Sequence, residues 1–259
     1  VQTCALPILG GFQLIKAETS GPEKGKITPK IATTAKYLWI IYMSLTALET
    51  ALLMIFGMDF IDALSHAFAT LGTGGFSTRN ASIGAYNSVG IEIVVTIFMF
   101  LGGINFSMYY YALTKKFRDI RQNSEFKMYI VLVIFCIMAI TLSTLSYYKN
   151  FGKALRFSSF QTLAIMTTTG FSTYDYTLWP STAQFFIFIL FFTGACSGST
   201  SGGIKIIRWV VLGKQVKNET KVLLHPQGVF SIRLNGSPIQ KDVVPSVTAF
   251  MMCYLALVL

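Results

Sequence analysis

The chain has 259 residues, of which 53% are hydrophobic and only 12% charged. A charged fraction half the soluble average of about 25% excludes an ordinary water-soluble domain and places the chain in a lipid bilayer. The net charge of +10 does not indicate a nucleic-acid partner, because the 21 Lys and Arg residues alternate with long apolar runs instead of forming one basic stripe.

In chain order, residues 1–36 read as the end of a preceding repeat and a basic connection holding Lys16, Lys24, Lys26, Lys30 and Lys36. The opening VQTCALPI lacks an initiating methionine and carries no weight in the reading. A first unit spans 37–113, with apolar runs at 37–58 and 90–113 around a short apolar piece at 62–71. A basic connection at 114–127 follows, with Lys115, Lys116, Arg118, Arg121 and Lys127. A second unit at 128–212 is built alike, from runs at 126–145 and 183–212 around a short piece at 157–166. Residues 213–242 form a third basic connection, and 243–259 begin another apolar run that is still apolar at Leu259. The sequence reads as a fragment of a longer protein, cut inside a helix.

Each long run reaches the roughly 20 residues that cross about 30 Å of hydrocarbon as a helix. The short pieces, at about 15 Å, can enter the bilayer but not cross it. Lys205 and Arg208, at the end of the last long run, join the third basic group, and only Arg79, Lys149, Lys153 and Arg156 remain for the other side, so the positive-inside rule puts the basic connections in the cytoplasm and the short pieces on the outer side.

The stretches LGTGGFSTRNASIGAY (71–86) and IMTTTGFSTYDYTLWP (165–180) are an internal repeat. An offset of 95 residues pairs Ala69 with Ala164, Thr73 with Thr168, Gly75 with Gly170, Phe76 with Phe171, Ser77 with Ser172 and Thr78 with Thr173. After each short helix the chain must return outward through this Gly-, Ser- and Thr-rich stretch, and irregular backbone at membrane depth is tolerated only where protein or water meets it. The expected fold is all-α and integral to the membrane, made of repeated units of span, pore half-helix, filter loop and span, as in a potassium-channel-like pore.

Such a loop suits a dehydrated monovalent cation. Backbone carbonyls replace its water without the desolvation penalty of carboxylates, and glycine permits the φ values that turn successive carbonyls one way. The candidate ion-binding residues are Gly72, Thr73, Gly74 and Gly75 in the first loop and Thr167, Thr168, Thr169 and Gly170 in the second. Phe76 and Phe171 are expected to wedge the loops against neighbouring helices. Asp59 and Asp62 suit the positive end of the first half-helix, Ser158 or Ser159 the cap of the second, and Asp175 the outer mouth.

GACSGSTSGGIK, at 194–205, interrupts the last long run. Glycine costs about 1 kcal/mol per residue in a helix interior, so Gly198, Gly202 and Gly203 should break it. The order of residues around Lys205 does not fit a phosphate loop. Two readings stay open: small-residue packing between helices, or a movable loop beneath the filter formed by Gly194, Gly198, Ser199, Thr200, Gly202, Gly203 and Lys205. Lys205 and Arg208 are gate charges or snorkel to the cytoplasmic interface.

Cys4, Cys136, Cys196 and Cys253 lack metal-ligand spacing, and His66 and His225 are solitary, so neither a metal centre nor a nucleophilic triad is expected, and no enzyme activity. The role of Glu49, an intramembrane carboxylate, stays open.

Taken together, GGFQLIKAETSGP, SHAFATLGTGGFSTRNASIGAY, MTTTGFSTYDYTLWP and GACSGSTSGGIKIIR resemble the Trk/Ktr/HKT superfamily of potassium uptake proteins, most closely its bacterial TrkH-type membrane subunits. The resemblance implies four repeats around one pore, of which this chain holds the second, the third and the start of the fourth. It implies Gly75 and Gly170 as filter glycines, residues 194–203 as an intramembrane gating loop, potassium as the transported ion, and a location in the bacterial inner membrane. It further implies a homodimer and a cytosolic nucleotide-binding regulatory subunit. Sodium-coupled or sodium-permeant transport, and a non-conducting membrane scaffold, are the alternatives.

Overall fold

The computed structural model describes residues 31–225, 231–235, 237–238 and 243–258. Cys4, the lysines before residue 31, the stretch GGFQLIKAETSGP, Lys241 and Leu259 lie outside the described residues.

Helix α1 (Ile31–Ile55) is apolar around its circumference, as a helix between lipid and protein must be. It buries Ile41, Glu49 and Leu53 and leaves Trp39, Ile40 and Leu48 exposed. Gly57, at φ +100°, turns the chain into α2 (Phe60–Leu71), which packs against α1. At 12 residues, α2 is about 18 Å long and cannot span. The return stretch passes through a 3₁₀ turn (Ser82–Tyr86) to α3 (Val89–Gly102).

The run expected as one span at 90–113 is two helices. Helix α3 ends at Gly102, and α4 (Phe106–Leu113) leaves it at 90°. Gly102 and Gly103 weaken the helix, and Asn105 restarts it by accepting the Ser107 N–H at 2.8 Å.

After α5 (Phe117–Gln122), helix α6 (Ser124–Tyr148) is capped by the Asn123 side chain, which accepts the Phe126 N–H at 2.9 Å. Helix α7 (Phe151–Met166) is longer than the expected half-helix. Its cap is Asn150, which accepts the Lys153 N–H at 3.1 Å, and not Ser158 or Ser159. Ser158 is buried mid-helix, 3.2 Å from the Thr144 hydroxyl. Lys153 and Arg156 therefore ride on the helix itself.

A 3₁₀ turn (Tyr176–Leu178) leads to α8 (Ser181–Phe191), which is broken from α9 (Ile206–Leu224) by the segment expected to be irregular. A two-residue hairpin of β1 (Arg233–Leu234) and β2 (Ser237–Pro238), paired antiparallel, precedes α10 (Val243–Val258).

Helices α1 and α6 are each long and apolar enough to cross a membrane. One core joins both units: Leu53, Leu71, Val95, Phe98 and Met99 of the first pack with Tyr129, Phe160, Met166 and Phe171 of the second. Helix α3 lies against α7, so the inner helix of one unit touches the half-helix of the next.

Candidate functional site: paired return loops above a broken helix

Both half-helices end the same way. The Gly74 and Gly75 N–H groups donate to the Ala69 carbonyl at 2.8 and 3.3 Å, and the Gly170 N–H donates to the Ala164 carbonyl at 2.9 Å. These bonds satisfy carbonyls that a helix terminus would otherwise leave open. With their N–H groups folded back, the loops have carbonyl oxygens left to offer an ion.

The backbone geometry repeats with the sequence. Thr73 and Thr168 take φ +49° and +57°, and Gly75 and Gly170 take +65° and +83°. Thr73 and Thr168 are rare non-glycine residues in the left-handed region, a strain that surrounding structure has to hold. It is held in part by each threonine hydroxyl, which donates to the preceding carbonyl: Thr73 to Gly72 at 2.8 Å and Thr168 to Thr167 at 2.6 Å.

The loops also meet. A Cβ on Gly75 would lie 1.8 Å from the Thr169 carbonyl oxygen, so only glycine permits that approach. A Cβ on Gly170 would meet nothing within 4 Å. Gly72, Gly74, Thr168 and Gly170 are exposed, whereas Thr73, Thr167 and Thr169 are buried. The hydroxyls of Thr167 and Thr169 lie 2.7 Å apart, and Thr167 also donates to the Leu163 carbonyl, so these side chains brace the loop from behind.

Directly against the loops lies the break between α8 and α9. The Thr73 hydroxyl donates to the Thr200 carbonyl at 2.9 Å, and the Gly202 N–H donates to the Thr168 hydroxyl at 2.6 Å. The Thr200 hydroxyl donates to the Leu71 carbonyl at 2.8 Å, at the end of α2. Ser199 contacts Ser201 at 2.8 Å and the Cys196 carbonyl at 2.6 Å. Gly194 donates to Ile204 at 2.7 Å, which closes the base of the segment. The segment thus touches the corresponding threonine of both return loops, which small-residue packing between two helices does not require.

The two interrupted helices dock on one another as well. The Cys196 N–H donates to the Gly103 carbonyl at 3.0 Å, and the Phe106 N–H donates to the Gly198 carbonyl at 3.1 Å. Sequence reasoning missed the first break. Its signal was Gly102-Gly103-Ile104-Asn105, two glycines and a helix-capping residue inside an apolar run.

Lys205 does not snorkel. It is 7% exposed, and its Nζ donates back into the segment, to the Ser201 carbonyl and, at 3.1 Å, to the Ser201 hydroxyl. Arg208 places its guanidinium 3.7 Å from the centre of the Phe250 ring on α10. A second residue missed by sequence is Glu125, buried in the first turn of α6, whose carboxylate accepts the N–H groups of Ser197 and Ile207. An acid in the first turn of a span, at the end of a basic connection, was the available signal.

At the outer side, Asp62 accepts a hydrogen bond from Tyr86 at 2.7 Å and pairs with Arg79 at 3.2 Å. The Tyr86 and Thr78 hydroxyls, followed by Arg79, hold its carboxyl below the usual carboxylate range. Asp59 occupies the N-cap position of α2 without a side-chain cap bond. Asp175 caps its 3₁₀ turn by accepting from the Thr177 hydroxyl at 2.7 Å and its N–H at 2.9 Å, and this keeps its carboxyl low as well. Phe171 is buried as expected, but Phe76 is 80% exposed, its ring lying beside Gly74 of its own loop. Glu49 is fully buried, with both carboxylate oxygens lacking a hydrogen-bond partner among the described residues.

Half-helices that enter an apolar bundle and return as glycine-rich loops, with a broken helix beneath them, define an integral membrane protein of the pore-loop class. A family model for the cation transport protein TrkH matches residues 3–259, and the chain belongs to that family. It is 36% identical to the Trk system potassium uptake protein TrkH of Halomonas elongata, over 97% of this chain and 53% of that protein. It is 37% identical to the protein of the same name from Escherichia coli K12, over 96% of this chain and 53% of that one. The crystal structure of the potassium transporter TrkH from Vibrio parahaemolyticus superposes with a TM-score of 0.81 at 34% identity, covering 88% of this chain and 50% of that one. The chain spans about half the length of the curated relatives it matches.

Proposed function

We propose that this segment supplies the second and third of four repeats around a potassium-conducting pore in the bacterial cytoplasmic membrane, together with the start of the fourth. The observation that carries the reading is the matched pair of return loops: the same residues at +φ, the same N–H groups folded onto the half-helix, and the two loops in contact. In such loops the carbonyls of Gly72–Gly75 and Thr167–Gly170 replace the hydration shell of potassium as it passes. The C-terminal ends of α2 and α7, each carrying about half a negative charge, favour the cation at that depth.

The segment 194–203 is the gate. Its hydrogen bonds to Thr73 and Thr168 support this role, because a segment held there lies across the inner end of both loops. The full-length protein works as a homodimer whose gate is moved by a cytosolic nucleotide-binding regulatory subunit. The names of the relatives, which assign them to a Trk system, support a multi-component assembly.

The complete reading frame should restore growth at low potassium to a bacterium lacking potassium uptake, and Gly170→Ser should admit sodium. Rescue that survives disruption of both Gly75 and Gly170 would overturn the filter assignment. Deleting residues 198–203 should raise ion flux in the absence of the regulatory subunit. Unchanged regulation would return the segment to a packing role.

A further inference from the structure

Glu125 lies at the start of α6 and is 2% exposed. Its Oε1 accepts the N–H of Ser197 at 2.5 Å and the N–H of Ile207 at 3.3 Å. One amide is within the gate segment and the other follows it: Ser197 immediately precedes Gly198, and Ile207 lies in the first turn of α9. A buried carboxylate is tolerated only with hydrogen bonds and positive potential around it. Here the two amides, the N-terminus of α9 and the charge of Lys205 provide both.

We infer that Glu125 is a latch, a positioning residue that ties the gate segment at Ser197 and the start of α9 at Ile207 to the same point on α6 and so holds the segment beneath the return loops. The inference rests on the proposed gate. Because one oxygen accepts both amides, the gate segment and the start of α9 are referenced to a single atom on α6, and α9 cannot shift away from α6 without releasing Ile207 or drawing Glu125, and with it Ser197, out of place. On either side of Ser197, Cys196 and Gly198 are bonded to the break between α3 and α4. Downstream, α9 carries Lys214, Lys217 and Lys221 toward the side assigned to the cytoplasm. A displacement of α9 by a cytosolic partner is therefore delivered to the gate through Glu125.

The test is rubidium flux into proteoliposomes holding the complete transporter without its regulatory subunit, comparing wild type, Glu125→Ala, Glu125→Gln and the deletion of 198–203. Hydrogen bonds to a charged group contribute enough that Glu125→Ala should raise unregulated flux by about tenfold or more, toward that of the deletion, with the potassium-to-sodium ratio unchanged. Glu125→Gln keeps an oxygen acceptor without the charge and should fall between wild type and Glu125→Ala. Wild-type flux in Glu125→Ala beside raised flux in the deletion would overturn the latch and leave the gate standing. Failure of the deletion itself would remove the gate and the latch with it. Amide hydrogen exchange on the wild-type transporter gives an independent readout should Glu125→Ala fail to fold: strong protection at Ser197 and Ile207 is expected, and rapid exchange at both would overturn the latch.

Discussion

Around the first return loop the supports are polar. His66, buried in α2, contacts the Asp62 carbonyl at 2.7 Å and the Ser77 hydroxyl at 2.9 Å, while Asp62 holds Arg79 and Tyr86. Around the second loop they are aromatic. Tyr148 stacks on Phe157 at 5.2 Å and accepts the Trp179 indole N–H at 2.9 Å, and Tyr174 meets Phe157 at 5.6 Å between ring centres. The offset that aligns the repeats pairs Asp62 with Phe157 and Arg79 with Tyr174, so an ion pair in one unit stands where a ring contact stands in the other. The backbone of the loops is nonetheless the same. Loop conformation is therefore set locally by the Thr and Gly positions and by the half-helix carbonyls, while the outer supports are interchangeable so long as they fix the loop.

The largest effect that would sharpen this comparison is expected at Gly75 and Gly170, the proposed filter glycines. Gly75→Ala places a methyl against the Thr169 carbonyl in a left-handed conformation, and should cost roughly 3 kcal/mol or more together with potassium uptake. Gly170→Ala bears only the conformational strain, since its Cβ enters open space, and should alter selectivity more than thermal stability. Melting curves and uptake assays on the two variants separate these outcomes, and equal losses of stability would break the asymmetry.

Next come the paired phenylalanines. Phe171→Ala empties a fully buried site and should cost about 3–5 kcal/mol, whereas Phe76→Ala should change stability by no more than about 0.5 kcal/mol. An equal loss at Phe76, measured by thermal unfolding of the full-length protein, would place another part of that protein on its ring.

The smallest effect concerns the outer supports. Arg79→Ala should lower stability slightly at low salt and not at all at high salt, because the pair it forms is solvent-exposed. Tyr174→Ala should show no such salt dependence. Acid should act on the same side. The folded-state Asp62 carboxyl lies below its unfolded value, so its stabilising contribution is present above about pH 4 and disappears as pH falls through the folded value. Protection against hydrogen exchange, corrected for the intrinsic rate, checks this between pH 5 and 3: it should fall in the first return loop through Asp62, and around the 3₁₀ turn after the second through Asp175, whose carboxyl is likewise held low.

Much of this architecture was legible in the sequence because it depends on local chemistry and repetition. The 95-residue offset carried both return loops, and the Gly-rich run between Gly194 and Gly203 carried the broken helix. What escaped was decided at long range. The second short piece was expected to start at 157, yet α7 begins at Phe151 and carries Arg156 with its Nε 3.0 Å from a Glu92 carboxylate oxygen on α3, a partner from the other unit. The break at Gly103 was hidden in an apolar run because the groups that satisfy it, at Cys196 and Gly198, come from the other unit's broken helix. Lys205 could be read either as a gate charge or as a snorkelling residue, because Ser201 and Glu125 take their places around it only once the chain is folded.

Heavy alkali ions offer the most direct test that the two return loops share one ion path closed below by the gate. Anomalous diffraction from crystals of the full-length protein soaked in rubidium should place ion peaks beside the carbonyls of Gly72–Gly75 and Thr167–Gly170, on the side away from Thr200 and Gly202. Peaks confined to other surfaces, or loops whose carbonyls surround no common ion, would contradict it.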